Sequence, residues 1–200
     1  MTVLTAPRHP LIRQALADAR TWCTGQTIDE RPALVHAVRV AVTLTRHLPG
    51  VSPELVAATL LHDAPEFAPR ELDLDAVLTA RYGREVSRVI HALQVEHHAL
   101  DQHNPPIITH DRPVLLTSTA DKIVALASLV RRARASGAPD AFFAARPSLL
   151  RLLPHFHEFH QAAAGLLPAG MADELGHVLH LLDQATATAR TEMRMRGPHR

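Results

Sequence analysis

The chain has 200 residues, 46% hydrophobic and 20% charged, and its net charge is +1 with the histidines neutral. That is one globular domain's worth of chain, long enough for a full core, and the composition is not that of a disordered protein. So small a net charge gives no electrostatic footprint for nucleic acid, and 4% aromatic residues are too few for base-stacking platforms. The basic residues are arginines, with Lys122 the single lysine. Cys23 is alone, which excludes an internal disulfide and a cysteine-based zinc site. Met1 to Pro10 carries Arg8, His9 and two prolines but no apolar run, unlike a signal peptide. No stretch reads as a membrane span. The expectation is a soluble, cytoplasmic protein without nucleic-acid or membrane partners.

In chain order, nearly every segment has helical periodicity. Pro10 to about Cys23 has an apolar stripe at Leu11, Ile12, Ala15, Leu16 and Ala19, closed by Gly25. Asp29 to about His47 follows, with Pro32 in its first turn, and Leu48-Pro49-Gly50 breaks the chain. Ser52-Pro53-Glu54 combines an N-cap hydroxyl, a proline and a first-turn acid, and starts a helix that runs to His62-Asp63. Further helices are predicted over about 72–82, 84–100, 111–134, 148–166 and 171–195, with Asn104-Pro105-Pro106 and Gly137 to Asp140 as connectors. Strand signals are nearly absent. The prediction is one all-α domain of about seven to nine helices over residues 1–196. Its functional core spans about 31–129, its closing helices span 140–196, and 197–200 form a frayed tail. The last helix either closes the core or pairs two copies of the chain.

The stretch Leu60-Leu61-His62-Asp63-Ala64-Pro65-Glu66 stands out. Two metal-capable side chains end an apolar run, and a carboxylate follows one helical turn later. Imidazole with carboxylate suits Mn, Fe, Co, Ni or Zn better than Ca. Two ligands hold an ion weakly, so others are needed. His36 sits among apolar neighbours in the second helix. Asp121 lies between inward-facing residues, where an unpaired carboxylate is too costly to bury. His36, His62, Asp63 and Asp121 form a dispersed set on three helices. Glu66 is placed to orient or deprotonate a water. Arg39, Arg70 and Lys122 are near in sequence and are candidate cations for a charged substrate; Lys122 points about 100° from Asp121, an angle that also allows it to face solvent.

The order His … His-Asp … Asp in an all-helical chain resembles the HD-domain superfamily of metal-dependent phosphohydrolases, over roughly Arg31 to Leu129. More narrowly, Leu61-His62-Asp63-Ala64-Pro65-Glu66, then Tyr82-Gly83-Arg84-Glu85-Val86, then Thr119-Ala120-Asp121-Lys122-Ile123 is similar to the stand-alone guanosine-polyphosphate hydrolases. That resemblance implies one divalent ion, Mn foremost, on His36, His62, Asp63 and Asp121, with Glu66 and Asp63 at the reaction centre. It implies a small phosphorylated substrate, a nucleotide, attacked at phosphorus by metal-activated water. Phe67 stands where that family has a second acid, Ala125 where it has an asparagine, and no Arg-Lys pair precedes His36. His-Asp-Ala-x-Glu is also similar to the HD-type nucleoside 5′-monophosphatases, for whose Arg-Trp pair Arg20-Thr21-Trp22 is a loose echo. A non-catalytic nucleotide-binding HD module and a di-iron oxygenase are the remaining alternatives. The last would draw on Glu96, His97, His98, His103 and His110.

Other features have plainer readings. His155, His157 and His160 are spaced i, i+2, i+5, share no helical face and are expected to face solvent. Arg131, Arg132 and Arg134 at a helix end complement its dipole.

Overall fold

The computed structural model describes residues 9–102 and 105–196. His103, Asn104 and the expected tail at 197–200 lie outside the described residues. The first half holds α1 (Pro10–Trp22), α2 (Ala33–His47), α3 (Pro53–Leu60), a one-turn α4 (Ala64–Phe67), α5 (Leu74–Tyr82) and α6 (Arg84–Ala99). The second holds α7 (Arg112–Ala135), a short α8 (Pro139–Ala144), α9 (Pro147–Ala163), a 3-10 turn (Ala164–Leu166) and α10 (Ala169–Arg196). The architecture is all-α, as predicted, with α4 and α8 added to the expected set. Local chemistry sets the helix starts: Ser52 Oγ accepts from Leu55 N–H at 3.2 Å, Asp73 from Ala76 at 3.0 Å, and Asp111 from Val114 at 3.3 Å. Between α5 and α6, Gly83 has φ 90° and ψ 161°, a backbone conformation open essentially to glycine alone.

Two boundaries differ from the prediction in ways that shape the site. The second helix starts at Ala33, because Thr27–Ile28 (β1) and Arg31–Pro32 (β2) pair as a minimal antiparallel hairpin. Its two turn residues, Asp29 and Glu30, have φ of 47° and 64°, as a two-residue type I′ turn requires. Non-glycine residues adopt that conformation at a cost, and Arg132 offsets it by gripping both carboxylates. So Arg132 is not a merely solvated helix end. The third helix stops at Leu60, and His62-Asp63 sit in a tight turn before α4, where Ala64 N–H bonds Leu61 O at 2.8 Å and Glu66 N–H bonds Asp63 O at 3.0 Å. Pro65 cannot donate a helical bond, and the chain tightens to i→i+3 bonding.

Apolar side chains gather in two clusters. One joins α1, α3, α5 and α6 through Ala15, Trp22, Leu61, Leu78, Ile90 and Leu93. The other joins α7 to α10 through Leu115, Ile123, Phe143, Leu153, Phe159 and Leu182. α2 gives Ala41 to the first and Val40 and Leu44 to the second, while α7 gives Val114 to the first and the rest of its apolar face to the second. The two helices shared between clusters are those carrying His36 and Asp121. α7 is long and apolar enough to cross a membrane, contrary to the sequence reading, but 67% of that window is buried inside the protein. α10 buries Met171, Leu175, Leu179 and Leu182 against the second cluster, so it closes the core.

Candidate metal centre

His36 of α2, the His62-Asp63 turn and Asp121 of α7 converge. His36 Nε2 lies 2.9 Å from Asp121 Oδ1 and 4.0 Å from Asp63 Oδ2. His62 Nε2 lies 3.3 Å from Asp63 Oδ2 and 3.8 Å from Asp121 Oδ1. His36, His62 and Asp121 offer ligand atoms all within 4.8 Å of one another. The His62 ring is fixed from behind: its Nδ1–H donates to Thr59 O at 2.9 Å, which leaves Nε2 as the free donor atom facing the acids. Thr59 is itself held, its hydroxyl donating to Leu55 O at 2.7 Å. His62 and Asp63 are 1% and 7% exposed, yet His62 Nε2 and Asp63 Oδ2 have no partner in hydrogen-bonding geometry. A protein rarely buries such atoms idle, and a cation between them satisfies both. The donor set therefore fits a divalent transition-type ion.

Electrostatics agrees. Burial alone would lower the His62 pKa, but Asp63, Asp121 and the Thr59 carbonyl outweigh it and raise it from 6.5 to about 9. Burial likewise opposes Asp121 ionisation, and the His36, His62 and His97 rings overcome it, holding the carboxyl well below the usual range. The raised His62 pKa gives the metal-free protein stability that is complete below pH 6.5 and is lost as pH rises toward about 9. Metal binding must displace that proton, so metal affinity runs the other way and grows with pH over the same window. Thermal melts from pH 6 to pH 9 are expected to converge toward instability without metal and to separate with saturating Mn. A His62→Gln chain should show both trends weakened, with the raised pKa of His97 leaving a smaller one.

The structure also adds a residue the sequence reading had assigned elsewhere. His97 of α6 places Nε2 3.3 Å from Asp121 Oδ2, and its ring centroid is 5.9 Å from that of His62. Its pKa is raised, with Asp121 outweighing burial. The signal was present in Glu96-His97-His98, but only one of its three side chains faces the centre. His98 and His110 are exposed, and Glu96 turns into the core. The histidine set expected for a di-iron oxygenase does not assemble among the described residues.

Glu66 lies at the rim, exposed, with a carboxylate oxygen within 4.8 Å of ligand atoms of Asp63 and His97. Lys122 is not a substrate cation. It is buried, 2.7 Å from both Glu96 Oε1 and Ser118 Oγ, with its ammonium 4.5 Å from the Phe159 ring centroid. Lys122 lies about 100° round α7 from Asp121, and that side of the helix faces α6 and α9, not solvent. Arg70 is exposed in the turn after α4 and does not line the cavity that adjoins the centre. Trp22 packs in the core and Arg20 faces solvent, so they form no pair. Phe67 packs against the first cluster. His155 is buried, His157 pairs with Asp183 at 3.0 Å, and His160 Nε2 lies 3.1 Å from Ala172 O, so these rings are tied within the fold and not free in solvent.

A cavity of about 400 Å³ adjoins the centre, with His36 in its wall. Arg31 and Asp29 of the hairpin, Arg39 of α2 and Arg146 before α9 line it with Val35, Val124, Leu129 and Leu149. Ala125 lines it too, one turn from Asp121. Arg31 and Arg39 make no salt bridge among the described residues, and their charges add to burial in lowering the Arg131 pKa. No protein-family model matches the chain, and no curated protein matches it.

Proposed function

We propose that this protein is a metal-dependent phosphohydrolase acting on a nucleotide or a similar small phosphorylated compound. The observation that carries the reading is the convergence of His36, His62, Asp63 and Asp121 with buried, unpartnered donor atoms on His62 and Asp63. His36, His62, Asp63 and Asp121 would hold one divalent ion, Mn by preference, which would supply Lewis-acid charge to a phosphoryl oxygen and lower the pKa of a bound water. Glu66, at the rim, takes up the proton that the water gives up. Arg39 and Arg31 meet the remaining phosphate charge from the cavity side, and the apolar wall of Val35, Val124 and Leu129 takes a flat organic group such as a base. This division of labour favours a nucleotide over inorganic or purely aliphatic phosphates. The likeness to the guanosine-polyphosphate hydrolases supports the chemistry, while Ala125, Phe67 and the missing Arg-Lys pair separate the chain from that specificity.

The test is release of phosphate or pyrophosphate from nucleoside mono-, di- and polyphosphates by Mn-loaded protein. Hydrolysis of at least one, lost in His62→Ala, is expected. No release from any, or equal release by both proteins, ends the proposal. Arg39→Ala is expected to raise KM by about 10-fold, the worth of one charge-assisted hydrogen bond, with kcat little changed. Steady-state kinetics on the best substrate checks this, and an unchanged KM removes Arg39 from the binding site.

A further inference from the structure

Arg31 lines the cavity with no salt bridge among the described residues to draw it there. Its charged neighbours are cations: Arg39 lines the same wall, and both lie close enough to Arg131 to act on its charge. Its place is therefore imposed by the backbone, which means by the β1–β2 hairpin. That hairpin pairs only Thr27 with Pro32 and Ile28 with Arg31, too little to hold itself. Its turn residues, Asp29 and Glu30, carry side chains at φ 47° and 64°, a conformation they leave when free.

We propose that Arg132 is a positioning residue for substrate binding: by holding the Asp29-Glu30 turn, it places the Arg31 guanidinium in the cavity wall. The proposal rests on the reading of that cavity as the phosphate-binding side of the site.

Arg132 Nη1 donates to Asp29 Oδ2 and Nη2 donates to Glu30 Oε2, so one planar fork fixes both turn residues. The Arg132 side chain is 10% exposed although that of Glu30 is 81% exposed, so the grip comes from the buried side, where salt screens it less. Phe142 of α8 steadies it. Arg132 Cζ lies 5.3 Å from the Phe142 ring centroid, and Arg146 Cζ lies 3.7 Å from the same centroid. Arg146 is itself anchored, donating to Phe142 O at 2.9 Å, and its Nη2 lies 3.7 Å from Asp29 Oδ1. The clamp is also tied to the candidate metal centre. On α7, Arg132 follows Asp121 by three turns, about 20° round the helix and about 16 Å along it. Between them Ala125, Ser128 and Leu129 line the cavity. One rigid helix thus sets the span from the proposed metal ligand to the hairpin that carries Arg31.

Four full-length chains test this: the wild type, Arg132→Gln, Glu30→Gly, and the two changes together. Glu30→Gly puts glycine where φ is positive, so the turn forms unaided, and Glu30 does not line the cavity. Hydrogen exchange over residues 27–33 reads the hairpin. Steady-state kinetics on the nucleotide found by phosphate release reads the site. Arg132→Gln is expected to lose protection over the hairpin and to raise KM by about 10-fold, the effect of withdrawing one charge-assisted contact. Its kcat and Mn affinity are expected to match the wild type, because the reaction centre is untouched. In the Glu30→Gly background the same change is expected to leave protection and KM where they were, a rescue that a merely destabilising change would not show. Unaltered exchange in Arg132→Gln overturns the proposal. So does lost protection with an unaltered KM, or equal damage in both backgrounds. These three results leave the reading of the site standing. Hydrolysis of no nucleotide at all removes that reading and the proposal with it.

Discussion

Asp121→Asn is expected to remove metal and turnover together while leaving the fold in place. Changes to residues that only orient a metal ligand typically lower affinity by about 10–100-fold. Loss of a carboxylate that faces three imidazoles and is proposed as a direct ligand should therefore cost more than about 100-fold in Mn affinity, with phosphate release at background. The asparagine keeps the volume, so α7 stays packed against α2 and α10. His62→Ala is a less clean probe, because it also strips Thr59 O of its buried donor, which adds about 1–3 kcal/mol of destabilisation. Equilibrium dialysis for Mn, thermal unfolding and a phosphate-release assay on the same Asp121→Asn preparation decide the matter. A variant that folds, binds Mn as before and still hydrolyses would remove Asp121 from the centre.

The second large effect concerns stability. Lys122 and Glu96 form a buried ion pair at 2.7 Å, each side chain about 5% exposed or less, with Ser118 Oγ donating to the same Glu96 oxygen at 2.7 Å. Lys122→Met leaves Glu96 charged and unpaired in the core. Breaking one half of such a pair costs about 3–5 kcal/mol, which for a chain of this size lowers Tm by roughly 6–20 °C. Lys122→Met with Glu96→Leu removes both charges and should recover most of the loss, since buried pairs are worth little against apolar replacements. Chemical denaturation of the two variants checks this. If the single change is silent, Glu96 has another partner. The pair also sets register. Glu96 precedes His97, and Lys122 follows Asp121, so locking α6 to α7 at one residue brings the adjacent two within 3.3 Å.

Much of this was legible in the sequence, for physical reasons. Helix starts announced themselves through Ser52, Asp111 and the prolines after them, because caps are local chemistry. The candidate centre was legible because His36 and Asp121 are polar side chains in apolar surroundings, a mismatch that needs a partner. What stayed hidden depends on tertiary contacts. The Asp29-Glu30 turn has no glycine to mark it and is stabilised by Arg132, far away in the chain. Lys122 looks like an ordinary solvated helix residue until Glu96 arrives from α6. His97 was one of several neighbouring histidines, and only the rotation of α6 against α7 distinguishes it from His98. The cavity could not be foreseen, since Arg31, Arg39 and Arg146 come from three separate elements.

The buried position of Lys122 has a practical corollary. It is the single lysine of the sequence, and it lies under Phe159 with no side-chain amine at the surface to compete with it. Acylating reagents aimed at lysine will find their target only when α6, α7 and α9 separate, so the rate of its acylation reports directly on global opening. Any attachment to a solid support or a dye through a lysine would trap the unfolded chain.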